Sequence, residues 1–295
     1  MINSVFGTSM ALISALSWAG CAVLFKKWGK NYQPEHINLF NTTLSFFWLC
    51  ILVILTHSSI IISKESLVII MISGLIGVVI ADSIYYSALR LLSPVTLTIA
   101  SLIGSVFSGF WGYYLYGEVL NKISAIGIFF VLMGVGIIYS TYPKNNILLK
   151  FKIFGLFLAI ISSFLTTFAV AIIKSVISQN PPVTVTMYRM LFSSVALILY
   201  TILTRKTIVL KNLFTEKTNI QKQIVSTSFL YAVGGFFCSM LAIKNCNLVI
   251  VSSIMAIQPF FVLLIMILFY KYFPKTEEFI GIVIIIIGLL LFYIN

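Results

Sequence analysis

The sequence predicts an all-α integral membrane protein, with ten transmembrane helices arranged as two inverted five-helix repeats. Three observations predict this fold class: an apolar composition, ten long apolar runs, and an internal repeat that relates the two halves of the chain. Residues 1–142 are predicted to form the first five-helix repeat, and residues 150–295 the second, inverted one.

The composition argues against most classes of soluble protein. Hydrophobic residues make up 60% of the 295 residues and charged residues only 9%, and the mean hydropathy is +1.11. Soluble domains carry about 25% charged residues, so this chain has too few to cover a surface in water. Disordered chains show the opposite composition. The net charge of +12 comes from basic residues that flank the apolar runs, so no basic face for nucleic acid is expected.

Ten apolar runs carry the predicted helices, since a helix needs about 20 such residues to cross a bilayer. The runs are Val5–Phe25, Ile37–Thr56, Leu67–Leu89, Val95–Leu115, Ile123–Thr141, Ile153–Ile173, Val183–Leu203, Ile224–Ile243, Val249–Tyr270 and Phe279–Tyr293. Barrel strands would instead appear as alternating segments of about ten residues. Prolines and basic residues separate the runs, as at Lys26, Lys27 and Pro34.

The two halves of the chain resemble each other. A shift of 148 residues aligns Gly7 with Gly155, Ser14 with Ser162, Lys26 with Lys174, and Pro34 with Pro182. A shift of 154 residues aligns Ala88 with Ala242, Val95 with Val249, Gly127 with Gly281, and Gly134 with Gly288. Each half holds five runs, and because five is odd, the second half must enter the membrane from the opposite side. Inverted repeats of this kind are typical of secondary transporters with alternating access.

Short motifs at matching places resemble the EamA-type transporters of the drug/metabolite transporter superfamily. They are Gly117-Glu118-Val119-Leu120 with the later Gly127 and Gly134, Ser17-Trp18-Ala19-Gly20 in the first run, and Tyr188-Arg189 after Pro181-Pro182. The ten-helix layout of that family covers nearly the whole chain. Two positions depart from its pattern: Asn41 stands where an arginine is common, and Lys271-Tyr272 replaces the Gly-Glu pair in the second half.

The resemblance implies a proton-coupled exporter or an exchanger of small metabolites, with a central cavity shared by the two halves. It slightly favours amino acids or related compounds as substrates. The resemblance also implies that both termini lie in the cytoplasm, whereas the distribution of Lys and Arg among the loops places them outside by the positive-inside rule. The sequence therefore leaves the orientation open.

Asp82 is the clearest candidate for an ion or substrate site, because an ionisable side chain inside a span is costly and is usually functional. Tyr85 and Tyr86 follow three and four residues later, so one helix face presents a carboxylate and two phenols. The prediction is a proton- or cation-binding site beside the cavity. The alternative is a carboxylate that is held by neighbouring hydroxyls and amides and serves helix packing.

Arg189 is predicted to lie too far from Asp82 for a simple ion pair. Each residue is roughly 10 Å from one end of its helix at 1.5 Å per residue. Inversion places those ends on opposite sides, so the two groups should differ by roughly 10 Å in depth. Asn41, at a depth closer to Asp82, is the expected direct partner. Arg189 either binds an anionic group of the substrate or extends to the membrane interface.

Helix interruptions at matching positions of the two halves predict the cavity wall. Gln258-Pro259 breaks the ninth run, and Gly104-Ser105 stands at the corresponding place in the first half. Trp18 could line the same cavity and stack on a flat or cationic ligand.

Gly127, Gly134, Gly281 and Gly288 are predicted to pack helices closely against each other or against a second protomer. The four cysteines show no CxxC spacing, so no metal site or redox pair is indicated, and the sequence carries no sign of a cofactor.

A secondary transporter of small organic molecules is the leading hypothesis, and the alternatives are a passive channel or an intramembrane enzyme. His36 and His57 lie at loop edges and form no HExxH motif, and no GxSxG motif occurs, which disfavours an enzyme. The expected partners are a small-molecule substrate and the lipid bilayer, with possible proton coupling and no nucleic acid. The expected location is a bacterial inner (plasma) membrane, with the protein as a monomer or homodimer.

Overall fold

In the computed structural model, every regular element is a helix in the part of the chain that it describes. That part comprises residues 2–29, 32–117, 146–205, 218–271, 276–293 and scattered helical residues between 123 and 137. The first half contains α1 Ile2–Trp28, α2 Pro34–Leu55, α3 Lys64–Gly74, a π-helix Leu75–Ala81, α4 Asp82–Leu91, α5 Pro94–Ala100 and α6 Ile103–Tyr116. The second half contains α7 Asn146–Gln179, α8 Pro182–Leu203, α9 Thr218–Phe229, a π-helix Leu230–Phe237, α10 Cys238–Asn245, α11 Leu248–Met255, α12 Gln258–Tyr270 and α13 Thr276–Tyr293.

Seven helical stretches among the described residues are long and apolar enough to cross a membrane. They are Val5–Trp28, Pro34–Leu55, Lys64–Leu91, Pro94–Tyr116, Lys150–Gln179, Pro182–Leu203 and Asn219–Asn245. Gln258–Tyr270 and Phe279–Gly288 are shorter apolar helices. The fifth predicted run, Ile123–Thr141, lies largely outside the described residues. The chain is therefore a multi-pass membrane protein whose described elements are helices, as the composition predicts.

Local sequence explains where the helices begin. Pro34, Pro94 and Pro182 stand in the first turn of α2, α5 and α8, where the missing N–H of proline has no partner to lose. Ser93 caps α5, because its hydroxyl accepts a hydrogen bond from the Thr96 N–H at 3.1 Å.

Two helices end at equivalent positions in a left-handed conformation. Gly117 ends α6 with φ 65°, and Lys271, its counterpart at a shift of 154 residues, ends α12 with φ 52°. A left-handed backbone suits glycine and is strained in other L-residues. The departure of Lys271 from the glycine pattern therefore leaves a strained turn in the second half.

Lys271→Gly is expected to stabilise the protein by about 1 kcal/mol, because glycine removes the strain of the left-handed turn. The Lys271 side chain is exposed, so its loss removes few contacts. A thermal-unfolding scan in detergent should show a higher midpoint for Lys271→Gly and a lower one for the matched change Gly117→Ala. An unchanged or lower midpoint for Lys271→Gly would show that the turn carries no strain.

The third long helix of each half contains a π-helical segment. Leu75–Ala81 leads into α4, and Leu230–Phe237 leads into α10, at positions that the 154-residue shift aligns to within a residue or two. π-Helical turns are rare and often accompany functional sites. Their wider turn breaks the regular α-helical spacing of side chains beside Asp82, which follows the first segment directly.

Reciprocal hydrogen bonds link the first helix of each half to the π-helix of the other half. The Ser14 hydroxyl donates to the Gly235 carbonyl at 2.8 Å, and the Ser162 hydroxyl donates to the Ala81 carbonyl at 2.9 Å. Ser14 aligns with Ser162, and Ala81 with Gly235, in the two sequence shifts. The two bonds are thus equivalent contacts made twice, once in each direction between the halves.

Small residues allow α1 to lie in the middle of the helix packing. Ala11, Ala15, Ala19 and Ala22 are each at most 1% exposed. A stripe of small side chains lets neighbouring helices approach closely in a membrane. The described glycines Gly127, Gly134, Gly281 and Gly288 are also helical and buried, as a packing role requires.

Candidate functional site

A cavity of about 230 Å³ lies between the two halves. Its volume is several times the roughly 30 Å³ of one water molecule, so it can hold a small organic ligand. The first half contributes residues of α1, α4, α5 and α6, and the second half contributes residues of α7, the second π-helix, α10, α11 and α12. Both halves therefore build one shared site.

The wall of the cavity combines one carboxylate with aromatic rings and hydroxyls. The carboxylate is Asp82, which is the one charged side chain among the described lining residues. The aromatic lining residues are Trp18, Phe25, Tyr85, Tyr86, Tyr231 and Phe236. The hydroxyl-bearing lining residues, apart from the tyrosines, are Thr98, Ser101, Ser105, Ser108, Ser162, Ser163, Thr166, Thr167, Ser239 and Ser252.

Asp82 accepts a hydrogen bond from the Tyr231 hydroxyl of the second π-helix. Its side chain is 8% exposed, and it lies in the cavity wall. A buried carboxylate needs hydrogen bonds or a counter-charge to remain ionised. Tyr231 supplies one such bond from the opposite half and leaves other acceptor positions of the carboxylate for a ligand or proton.

An aromatic cluster surrounds this hydrogen bond. The Tyr231 ring centroid lies 5.0 Å from Trp18 and 4.8 Å from Phe236, and Phe25 lies 4.9 Å from Tyr86. The rings of each pair meet edge to face, an arrangement in which the positive edge of one ring contacts the negative face of the other. The cluster gives the carboxylate an apolar surrounding on one side of the cavity.

Two helix interruptions lie beside the cavity. α5 ends at Ala100 before α6 begins at Ile103, and α11 ends at Met255 before α12 begins at Gln258. Ser105 and Gln258, both predicted from these interruptions, line the cavity. The Ser105 hydroxyl donates to the Ser252 carbonyl at 3.5 Å and so joins the two interruptions across the halves.

Trp18, Tyr85 and Tyr86, also predicted as site residues, line the cavity as well. Asn41 does not line it. Its amide donates to the Tyr86 hydroxyl at 3.5 Å, so it supports a lining residue from behind. The expectation that Asn41 bonds directly to Asp82 is replaced by the bond from Tyr231, because the second π-helix brings that hydroxyl to the carboxylate.

Arg189 is completely buried and does not line the cavity. One guanidinium nitrogen donates to the Ser73 carbonyl at 3.5 Å, and the guanidinium carbon lies 5.1 Å from the centre of the Phe236 ring. Its Nε and Nη1 atoms have no hydrogen-bond partner among the described residues. Because the side chain is 0% exposed, it does not extend to the membrane interface.

Sequence reasoning missed Tyr231 and Phe236. The 154-residue shift aligns Tyr231 with Gly77 and Phe236 with Asp82, so the repeat contains the signal that would have found them. Both residues look like ordinary aromatic side chains within an apolar run, and only their alignment with Asp82 and the residues just before it marks them. Among the described residues, no group of three or more His, Cys, Asp or Glu side chains is placed to hold a metal ion.

Tyr231→Phe is expected to destabilise the protein by about 1.5–3 kcal/mol, since the hydrogen bond it removes has a charged acceptor. The ring and its aromatic contacts remain. The same change in an Asp82→Asn background should cost clearly less, because the acceptor is then neutral. Chemical denaturation of the four variants of this double-mutant cycle in detergent measures the coupling, and a coupling near zero would contradict the Tyr231–Asp82 bond.

Comparison with known proteins gives three findings. Residues 5–140 and residues 153–294 both match the EamA-like transporter family. A protein of Archaeoglobus fulgidus, named as an uncharacterized transporter, is 23% identical over 189 residues, which cover 64% of this chain and 66% of that protein. A chain of known crystal structure superposes with a TM-score of 0.74 at 14% identity, covering 99% of this chain and 98% of the other. At that identity the superposition shows a shared fold.

Proposed function

The chain belongs to the EamA-like transporter family, and on that premise we propose that it is a secondary transporter of small organic metabolites that works by alternating access. The observation that carries this proposal is the cavity, which both halves enclose and which holds an acidic side chain in its wall. We propose amino acids or related compounds as the first substrates to test, moved by export or exchange. The proposed location is the inner membrane of a bacterium.

The proposed mechanism requires ten spans in two inverted repeats. The reciprocal bonds of Ser14 and Ser162 support it, because equivalent contacts made in both directions are what a two-fold relation between the halves produces. A second pair of contacts joins aligned residues, with donor and acceptor exchanged. The Ser73 hydroxyl donates to the Ala169 carbonyl at 2.8 Å, and the thiol of Cys21, which aligns with Ala169, lies 3.8 Å from the carbonyl of Thr227, which aligns with Ser73.

Alternating access follows from such a relation. If the two halves exchange their conformations, a cavity that is open to one side becomes open to the other, while the site itself stays between them. Asp82 would then take up a proton or a cation on one side and release it on the other. We propose that this uptake and release couples ion movement to substrate movement. An ionisable side chain inside the membrane is costly, and a coupling role explains why Asp82 stands in the cavity wall.

Counterflow in proteoliposomes tests the proposed function. Vesicles preloaded with an excess of unlabelled amino acid are diluted into a trace of the labelled compound. A carrier takes up the label transiently above its equilibrium level and does so with saturation, whereas a passive channel only equilibrates the label. Across a panel of amino acids and their metabolites, we expect at least one saturable counterflow substrate.

Glu65→Gln is the matched control for changes at Asp82. Glu65 is an exposed acidic residue in the first turn of α3, outside the cavity lining. Its neutralisation changes the net charge by the same amount as Asp82→Asn, so it should leave counterflow unchanged. Uptake that merely equilibrates, without overshoot and without saturation, would support a channel and contradict the proposal.

A further inference from the structure

The charge of the cavity wall is negative in the part of the chain that the structure describes. Asp82 carries that charge, and the other polar lining groups are hydroxyls, phenols and the Gln258 amide. Arg189 contacts the lining residue Phe236 and interacts electrostatically with Asp82, but it is completely buried behind the lining and does not face the cavity. A ligand in the cavity therefore meets a carboxylate and no positively charged side chain of the described residues.

Aromatic rings lie beside that carboxylate. Tyr231 donates to Asp82, and its ring packs within 5.0 Å of Trp18 and 4.8 Å of Phe236. All three rings line the cavity. The negative face of an aromatic ring attracts an ammonium group, most strongly for tryptophan and in places shielded from water. Carboxylate and rings together select for positive charge.

We propose that the cavity binds an amine cation with an apolar or aromatic body, whose ammonium group contacts Asp82 and the ring of Trp18, while the fully buried Tyr231 positions the carboxylate. This inference rests on the proposed function and names the substrate class of the same site. The apolar lining residues Leu102, Val251 and Met255 provide the surface for the body of the molecule.

A free amine should bind more tightly than the amino acid that carries the same side chain. The carboxylate of an amino acid loses its hydration in the cavity, and hydroxyl donors alone replace that hydration incompletely. Repulsion from Asp82 adds to the cost, because two like charges would share a small and largely apolar space. The amine lacks both penalties and keeps the favourable contact of its ammonium group.

Four probes separate these effects: phenethylamine, phenylalanine, 2-phenylethanol and 3-phenylpropionate. They share a phenyl ring and differ in charge as cation, zwitterion, neutral molecule and anion. Isothermal titration calorimetry of the purified full-length protein at pH 7 gives the four dissociation constants. We expect phenethylamine to bind about tenfold more tightly than phenylalanine and 2-phenylethanol, as a shielded cation–aromatic contact allows, and 3-phenylpropionate to bind most weakly.

Variants identify the residue that sets the preference. Asp82→Asn should reduce the preference for phenethylamine over 2-phenylethanol by about tenfold, whereas Glu65→Gln should leave it unchanged. The proposal is overturned if phenylalanine or 3-phenylpropionate binds as tightly as phenethylamine or more tightly. It is also overturned if Asp82→Asn keeps the full preference for phenethylamine over 2-phenylethanol. Absence of binding by all four probes overturns it too.

The counterflow assay separates this proposal from the proposed function. If phenylalanine shows saturable counterflow and phenethylamine does not bind better, the protein is a carrier and only the amine preference is wrong. If phenethylamine binds with the expected preference but no compound of the panel shows counterflow, the cavity recognises amines and carrier function is contradicted.

Discussion

Asp82→Asn is expected to abolish proton-coupled transport while the protein still inserts and folds. Asparagine has nearly the same shape and keeps an oxygen that can accept from Tyr231. It cannot carry a negative charge or exchange a proton. Loss of the charge of a buried, hydrogen-bonded carboxylate that contacts a charged ligand costs about 2–5 kcal/mol, so we expect counterflow of the best substrate to fall by about 30-fold or more.

The measurement is counterflow in proteoliposomes over a range of pH values, with equal amounts of wild type, Asp82→Asn and Glu65→Gln. A monodisperse size-exclusion profile for each variant shows that insertion and folding are intact. Glu65→Gln should follow the wild-type pH profile. Unchanged transport with an unchanged pH response in Asp82→Asn would remove Asp82 from the mechanism.

Gly77→Ala is expected to destabilise the folded protein by about 1–3 kcal/mol, because it overpacks the contact between the halves. Gly77 lies in the first π-helix, and a Cβ atom there would overlap the Arg189 guanidinium and lie 2.6 Å from the Ala169 Cβ. The flexible arginine side chain could shift, but the Ala169 Cβ atom is attached directly to the backbone of α7 and moves only with that helix. Backbone movement between the halves must therefore accommodate the methyl group.

Gly104→Ala is the matched control for this change. A Cβ atom at Gly104 would lie 3.4 Å from the nearest heavy atom, the Thr167 Cγ2, which is ordinary van der Waals contact. Thermal unfolding of the two variants in the same detergent should lower the midpoint for Gly77→Ala and change it little for Gly104→Ala. Equal midpoints for the two variants would contradict the close packing of the first π-helix against Arg189 and α7.

The sequence predicted a helical membrane protein with two repeats, because that prediction rests on hydropathy and on Gly, Pro and basic residues that recur at matching positions of the two halves; ten spans and inversion stay predictions. Bilayer helices require long apolar runs, so a mean hydropathy of +1.11 already identified an all-helical membrane protein. The alignment of Gly7 with Gly155 and of Pro34 with Pro182 indicated two repeats, and the matches of residues 5–140 and 153–294 to one family confirm two repeats. The resemblance to EamA-type transporters is confirmed by the same matches.

The partner of Asp82 could not be predicted, because the depth arithmetic assumed regular α-helices. π-Helical segments precede Asp82 and contain Tyr231, and they change both the rise and the direction of the side chains. Tyr231 thereby reaches the carboxylate, and Asn41 contacts Tyr86 instead. Nothing in a uniformly apolar stretch such as Leu230–Phe237 signals a π-helix from composition alone.

Arg189 shows a second limit of sequence reasoning. Its position near the start of the seventh run was compatible with a substrate contact or with the membrane interface. The structure places it instead against Phe236 and the Ser73 carbonyl, where it is 0% exposed. That outcome depends on Gly77, which leaves the space that the guanidinium occupies. A sequence pattern does not show that the space left by Gly77 on one helix accommodates the Arg189 side chain of another.

Site-specific labelling tests most directly whether two inverted repeats enclose the cavity. Gln33→Cys follows the first span, Gln179→Cys follows the sixth, and both side chains are exposed. Each is introduced into a variant without Cys21, Cys50, Cys238 and Cys246, and oriented vesicles are treated with a membrane-impermeant maleimide. Labelling of the two positions from opposite sides of the membrane is the predicted result. Labelling of both from the same side would contradict the inversion and the alternating-access mechanism built on it.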